Sequence, residues 1–197
     1  EHLTFDAQAH IPIMTLPNMF ERTVRIGSAG KSFSLTGWKV GYVTAPAHLM
    51  EVIFKAHQFL TFTTAPNLQK AVAYGLAKDD AYFISLASEL QAKRDLLSTG
   101  LHSIVFDVLP SAGTYFIAAD YQKFAKPGED GLTFCKRITV EAGVAAMPFS
   151  TFSIAGAPGF ENLLPPSDTL IRFCFCKRDE VLAEAVDRLR RYLGKGG

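Results

Sequence analysis

Apolar positions along the chain recur first at the period of a strand and then at that of a helix. Thr23-Val24-Arg25-Ile26 alternates as a short strand and runs into Gly27-Ser28-Ala29-Gly30, a loop by composition. Val40-Gly41-Tyr42-Val43-Thr44 predicts the next strand. Pro46 then opens a helix in which Leu49, Met50, Val52, Ile53, Ala56 and Leu60 fall at helical spacing. Pro66 opens a further segment carrying Leu68, Ala71, Val72 and Leu76. From about Asp79 a long helix presents Phe83, Leu86, Leu90 and Leu97 on one face, with Gly100 as its expected C-terminal cap.

Beyond Gly100 the texture changes. Ile104-Val105-Phe106 and Tyr115-Phe116-Ile117-Ala118 predict strands, followed by a helix from Asp130 to Ala142 that Gly143 stops. Val144-Ala145-Ala146-Met147 predicts a short strand, and a loop rich in Ser, Gly and Pro runs to about Ser167. Leu170 to Phe175 reads as a strand, and Asp179 as the cap of a last helix with Val181, Leu182, Ala185, Val186 and Leu189 on one face. The pattern predicts an α/β part over 1–85 and a compact α+β part over 86–197, joined by the long helix.

Composition narrows the class. With 197 residues, one large domain or two small ones is expected. An apolar share of 48% with 16 Phe is enough for a core and excludes a disordered chain. Twenty Lys and Arg against 19 Asp and Glu leave a net charge of +1, so no basic excess points to nucleic acid. Apolar runs such as Ile171-Arg172-Phe173-Cys174-Phe175-Cys176 fall well short of the roughly 18–20 residues of a membrane helix. A soluble globular chain with neither nucleic-acid nor membrane partners is expected. Cys135, Cys174 and Cys176 are too few for a disulfide framework and fit a reducing compartment. The last two sit two apart in a predicted strand, half a metal site at most, and are expected to be buried structural thiols. The opening Glu1-His2-Leu3-Thr4-Phe5 shows no initiator Met, no basic region and no apolar signal region, and reads as the middle of a chain.

The densest chemistry lies in Gly27-Ser28-Ala29-Gly30-Lys31-Ser32-Phe33-Ser34-Leu35-Thr36-Gly37-Trp38-Lys39-Val40-Gly41. Gly30-Lys31-Ser32 after a strand matches the end of a phosphate-binding P-loop, but the position of that loop's first glycine is Arg25, inside the strand. Ser28-Ala29-Gly30-Lys31 also fits the S-x-x-K pattern of penicillin-recognising enzymes. That pattern's K-T-G companion is absent, and its S-D-N appears only as Ser167-Asp168-Thr169.

A third reading accounts for more residues at once. Ser28-x-x-Lys31-x-x-x-x-Thr36-Gly37-Trp38-Lys39-x-Gly41 resembles the lysine region of fold-type-I pyridoxal phosphate aminotransferases, and is especially similar to the kynurenine aminotransferase/glutamine transaminase K group. The likeness covers essentially the whole chain. Asn18-Met19-Phe20-Glu21-Arg22-Thr23 is similar to the family's approach to the lysine strand, and Pro110-Ser111-Ala112-Gly113-Thr114-Tyr115-Phe116 to its P-x-x-G-[ST]-Y-F strand. Leu170-Ile171-Arg172-Phe173-Cys174-Phe175 resembles its I-R-[FL] strand.

The resemblance implies an aspartate aminotransferase-like α/β fold, of which this chain holds the rest of the large domain (1–85) and the small C-terminal domain (86–197). It implies pyridoxal 5′-phosphate as cofactor, joined to Lys31 as the internal aldimine, with Ser28 and Lys39 on the cofactor phosphate. Gly27, Ala29 and Gly30 would let the backbone pass close to the cofactor. Arg172 carries over as the grip on the substrate α-carboxylate, where a planar guanidinium makes two parallel bonds. Phe62 aligns with an aromatic that reaches over a partner's substrate pocket, while Thr63 stands where some members have His. The family's D-x-x-Y pair, for the pyridine nitrogen and phenolic oxygen of the cofactor, precedes a segment like Glu1-His2-Leu3 and is expected upstream of this chain, a C-terminal half.

The implied activity is amino-group transfer between an α-amino acid and a 2-oxo acid, by a cytoplasmic homodimer; the isolated 197-residue piece is expected to be inactive. The alternatives are a pyridoxal phosphate β-lyase acting on sulfur amino acids or cysteine conjugates and, lower, a P-loop-like nucleotide-binding protein.

Overall fold

The computed structural model describes residues 1–152 and 169–194. The chain divides into two units, one formed by Glu1–His2 and Ala9–Ser85, the other by Leu3–Gln8 and the residues from Leu86 on.

In the first unit, β1 (Arg25–Ser28) and β2 (Gly41–Thr44) pair antiparallel as a two-stranded ribbon. Between them lie a four-residue helix, α1 (Ala29–Ser32), and a 3-10 turn over Thr36–Trp38. Helix α2 (Ala47–Leu60) has Pro46 as its N-cap, and α3 (Pro66–Leu76) begins on Pro66. Proline fits both places because the first helical N–H groups have no partner in the helix. Ala29, Val40 and Val72 form a small core, with Phe33, Leu35, Tyr42 and Leu68 packed against it. Helix α2 has the expected apolar period yet buries none of its residues; Val52, Phe54, Phe59 and Leu60 are exposed.

Helix α4 (Asp80–Ser103) starts in the first unit and continues into the second. There β3 (Asp107–Val108), β4 (Phe116–Asp120), β5 (Met147–Pro148) and β6 (Leu170–Cys174) make an antiparallel sheet in the order β3-β4-β6-β5. Side chains alternate along each strand. Ile117, Ala119, Ile171 and Phe173 therefore enter the core, while Phe116, Ala118, Arg172 and Cys174 take the other face. Helices α4, α5 (Gly131–Glu141) and α6 (Asp179–Leu193) close the core with Leu97, Leu101, Phe134, Ile138, Leu182 and Leu189. Asp130 caps α5 by accepting the Thr133 N–H at 2.8 Å. Leu3–Gln8 is held to this unit by Arg94, which donates to both carboxylate oxygens of Asp6 and, at 2.7 Å, to the Ser111 carbonyl.

Several expectations change. Gly100 does not end α4: a Cβ there would come 2.5 Å from Val186 Cγ2, so the glycine admits α6 against α4. Ile104-Val105-Phe106 is a turn rather than a strand, with Val105 left-handed at φ 66°; the strand begins at Asp107. Only Met147 of Val144–Met147 is in a strand. Cys135 is buried, but Cys174 is half-buried and Cys176, just past β6, is exposed, so the C-x-C thiols are not core groups. Asp179 is the first residue of α6; the N-cap is Arg178. The loop expected up to Ser167 lies outside the described residues apart from its first part.

Candidate active site

The register of the ribbon pairs Ser28 with Gly41. Because the strands are antiparallel, the chain leaves β1 after Ser28 and re-enters β2 at Gly41 at the same end, which gathers Ser28, Lys31 and Lys39 there. The connection is tight. The Leu35 N–H donates to the Gly30 carbonyl at 3.0 Å, and a Cβ on Gly30 would stand 2.9 Å from Thr36 Cα, a backbone atom with no room to retreat. Gly30 and Ala29 are small so that this chain can pack on itself, a reason independent of any ligand. Lys39 follows the Thr36–Trp38 turn in the left-handed region, at φ 55°. Ser28, Lys31 and Lys39 are all exposed. One hydroxyl and two ammonium groups at one end of a ribbon form a donor set suited to a phosphate monoester.

No P-loop forms. Strand β1 passes directly into α1, only four residues long. Ser167 and Asp168, the partial match to S-D-N, lie outside the described residues.

Phe62 is exposed beyond α2, with φ 66°, and its N–H donates to the His57 carbonyl at 3.1 Å. A bulky residue in this region is strained by about 1–3 kcal/mol. Phe62 borders an open apolar groove of about 470 Å³, with Val40, Tyr42, His57, Val72 and Leu76 among its walls. Thr63 is beside it.

In the second unit, Arg172 occupies the middle of β6, opposite Ala118 on β4 and Met147 on β5. Its guanidinium carbon lies 3.7 Å from the ring centroid of Phe116 and 4.3 Å from that of Phe152, and Nη2 donates to Met147 Sδ at 3.5 Å. Aromatic faces and a thioether orient the group but are weak acceptors. Among the described residues no carboxylate forms an ion pair with Arg172. It borders a hollow of about 430 Å³ with Phe116, Met147, Cys174 and Lys177.

Two groups were missed by sequence reasoning. Phe116 and Phe152 flank Arg172; the first lies in the P-x-x-G-[ST]-Y-F segment, while nothing in the sequence marks the second. Glu1 joins Arg25 and Tyr42 on the ribbon, with the Tyr42 hydroxyl donating to Glu1 Oε1 at 2.9 Å. Burial would raise the Glu1 carboxyl, but the bonds from Arg25 and Tyr42 outweigh it and hold the group below its ordinary range.

The sequence profile of the family described as "Aminotransferase class I and II" matches residues 2–189. Probable N-succinyldiaminopimelate aminotransferase DapC of Mycobacterium tuberculosis is 40% identical over 96% of this chain and 47% of its own length. The solved N-succinyldiaminopimelate aminotransferase from that organism superposes with a TM-score of 0.86 at the same coverage. Methionine aminotransferase of Escherichia coli is 38% identical over 97% of this chain and 47% of its own length. Kynurenine–oxoglutarate transaminase of Dictyostelium discoideum is 36% identical over 96% of this chain and 46% of its own. The chain thus spans about half the length of the curated relatives it matches.

Proposed function

The chain belongs to the class I and II aminotransferase family, and from that premise we propose that the protein it represents transfers an amino group between an α-amino acid and a 2-oxo acid with pyridoxal 5′-phosphate as cofactor. The observation that carries the proposal is the convergence of Ser28, Lys31 and Lys39 at one end of the β1–β2 ribbon. When bound, the cofactor supplies an electron sink for the substrate α-carbon. Ser28 would donate its hydroxyl to the cofactor phosphate, and Lys39 would set its positive charge against the same group. Lys31 would provide the amine that holds the cofactor and, when neutral, the base for the proton at the substrate α-carbon. In the second unit, Arg172 takes the substrate carboxylate with two parallel N–H donors, its plane already set by Phe116 and Phe152.

Names of relatives include aminotransferases for N-succinyldiaminopimelate, methionine and kynurenine. Acceptance of several amino acid side chains is part of the proposal, and the β-lyase alternative is not favoured. The reading places the protein in the cytoplasm and includes a homodimer, the latter supported by the exposed Phe59, Leu60 and Phe62 beyond the core of the first unit. The test is an assay of the intact protein with added pyridoxal phosphate, a panel of amino acids and a 2-oxo acid acceptor. Acceptor-dependent formation of the new amino acid is expected. Pyruvate and ammonia released from sulfur amino acids without an acceptor would establish the lyase instead, and sedimentation of the same sample tests the dimer.

A further inference from the structure

Cys174 and Cys176 have their sulfur atoms 3.1 Å apart, and both thiols are free. In an extended strand, residues i and i+2 stand about 7 Å apart, at the outer limit of what a disulfide spans. Here the strand has just ended. The Lys177 N–H donates to the Phe175 carbonyl at 2.7 Å, a three-residue turn centred on Cys176 that draws its side chain back towards Cys174. Phe175, buried between them, and its N–H bond to the Tyr115 carbonyl at 3.1 Å fix the backbone while the two sulfurs face each other. Cys176 is exposed, so a small reagent reaches it without unfolding.

We propose that Cys174 and Cys176 are a reversible oxidation site, converted to an intrachain disulfide by a low-molecular-weight disulfide such as oxidised glutathione. The Cys176 thiolate attacks one sulfur of the reagent, forming a mixed disulfide and releasing one small thiol. The Cys174 thiolate then attacks Cys176 Sγ and expels the second. Two protein thiols become one disulfide, and one small disulfide is reduced to two thiols, so two electrons and two protons pass to the reagent. A metal site is not supported: among the described residues no third His, Cys, Asp or Glu completes a ligand group. Cys135 is an internal control, because it is buried while Cys176 is exposed. The proposal does not depend on amino-group transfer.

The experiment uses the intact protein, incubated with oxidised glutathione, denatured in N-ethylmaleimide and digested with trypsin. Cleavage after Arg172 and Lys177 puts both cysteines on the peptide Phe173-Cys174-Phe175-Cys176-Lys177. This peptide is expected without label and two hydrogen atoms lighter than its reduced form, accepting two labels after dithiothreitol, while Cys135 is labelled throughout. In Cys176→Ser the same peptide is expected to carry a single label or a single glutathione. Glutathione retained on Cys176 beside a labelled Cys174, two labels after oxidation, or cross-linking to another chain would overturn the proposal. So would equally fast ring closure in urea, since the geometry of the fold would then contribute nothing.

Discussion

Phe116 and Arg172 are diagonal neighbours across the β4–β6 ladder, and the guanidinium sits 3.7 Å from the ring centroid. The ladder places the aromatic where it limits the rotation of a long, flexible side chain, so less freedom is lost when a ligand arrives. Arg172→Lys replaces two parallel donors with a point charge, at about 2 kcal/mol or on the order of 30-fold in kcat/KM. Phe116→Leu removes only the stacking, about 1 kcal/mol, or roughly fivefold, seen mainly as a raised KM. Cofactor affinity is expected to be unchanged in both. Steady-state kinetics and a cofactor titration check this, and unaltered kinetics in both variants would remove Arg172 from carboxylate binding.

At the ribbon end the roles divide. Lys31→Ala is expected to abolish amino-group transfer, and borohydride reduction of the wild-type protein with cofactor should fix the label on the peptide that carries Lys31. Lys39→Ala should weaken cofactor retention by about 1–2 kcal/mol, roughly 5- to 30-fold in Kd, while saturating cofactor restores most of kcat. A borohydride label found on another lysine would contradict the assignment.

Glu129 and Arg137 form a shielded two-pronged pair in the second unit. Both guanidinium contacts are 2.7 Å, and the Glu129 side chain is only 3% exposed. Arg137 also donates to the Tyr192 hydroxyl and the Phe124 carbonyl. Glu129→Ala leaves a sheltered cation without its partner and is expected to cost about 3 kcal/mol. Bonding from Arg137 holds the Glu129 carboxyl below its ordinary range, so the native state binds its proton more weakly than the unfolded chain. The contribution is complete above about pH 5, beyond the unfolded value near 4.3, and fades as pH falls through the depressed native value. Urea midpoints of the wild type and Glu129→Ala should therefore converge as pH falls towards 3; a constant gap would count against the pair.

Gly100→Ala tests the packing of α6 on α4. Alanine favours the helix by about 1 kcal/mol, but its Cβ would meet Val186 Cγ2 at 2.5 Å. Valine has little rotamer freedom to yield, so overpacking of about 1–3 kcal/mol should win and lower the unfolding midpoint. Adding Val186→Ala should make Gly100→Ala favourable, as a double-mutant cycle in urea would show.

Much of the architecture was legible because its signals are local. Alternation marked Ile117 with Ala119 and Ile171 with Phe173 as core positions, and Pro46, Pro66, Asp130 and Gly143 lie at helix ends. The chemical content of the ribbon end was legible too, since Ser28, Lys31, Lys39 and the intervening Thr36-Gly37-Trp38 are close in sequence. Phe62 was legible as an aromatic but not as an exposed residue with left-handed backbone.

By itself the sequence determined helices α2 to α6, the paired strands β4 and β6 and which residue types stand at the candidate site, because hydrophobic period, proline geometry and short-range spacing act within a few residues. Tertiary structure alone decided the rest. The Ser28–Gly41 register brings Lys31 and Lys39 to one end, Val186 rather than a helix end accounts for Gly100, and Phe152 comes to Arg172 from a separate segment. The turn at Cys176 turns a C-x-C spacing into two facing thiols. Each depends on contacts between residues distant along the chain or on a single backbone angle, and neither is encoded in local composition.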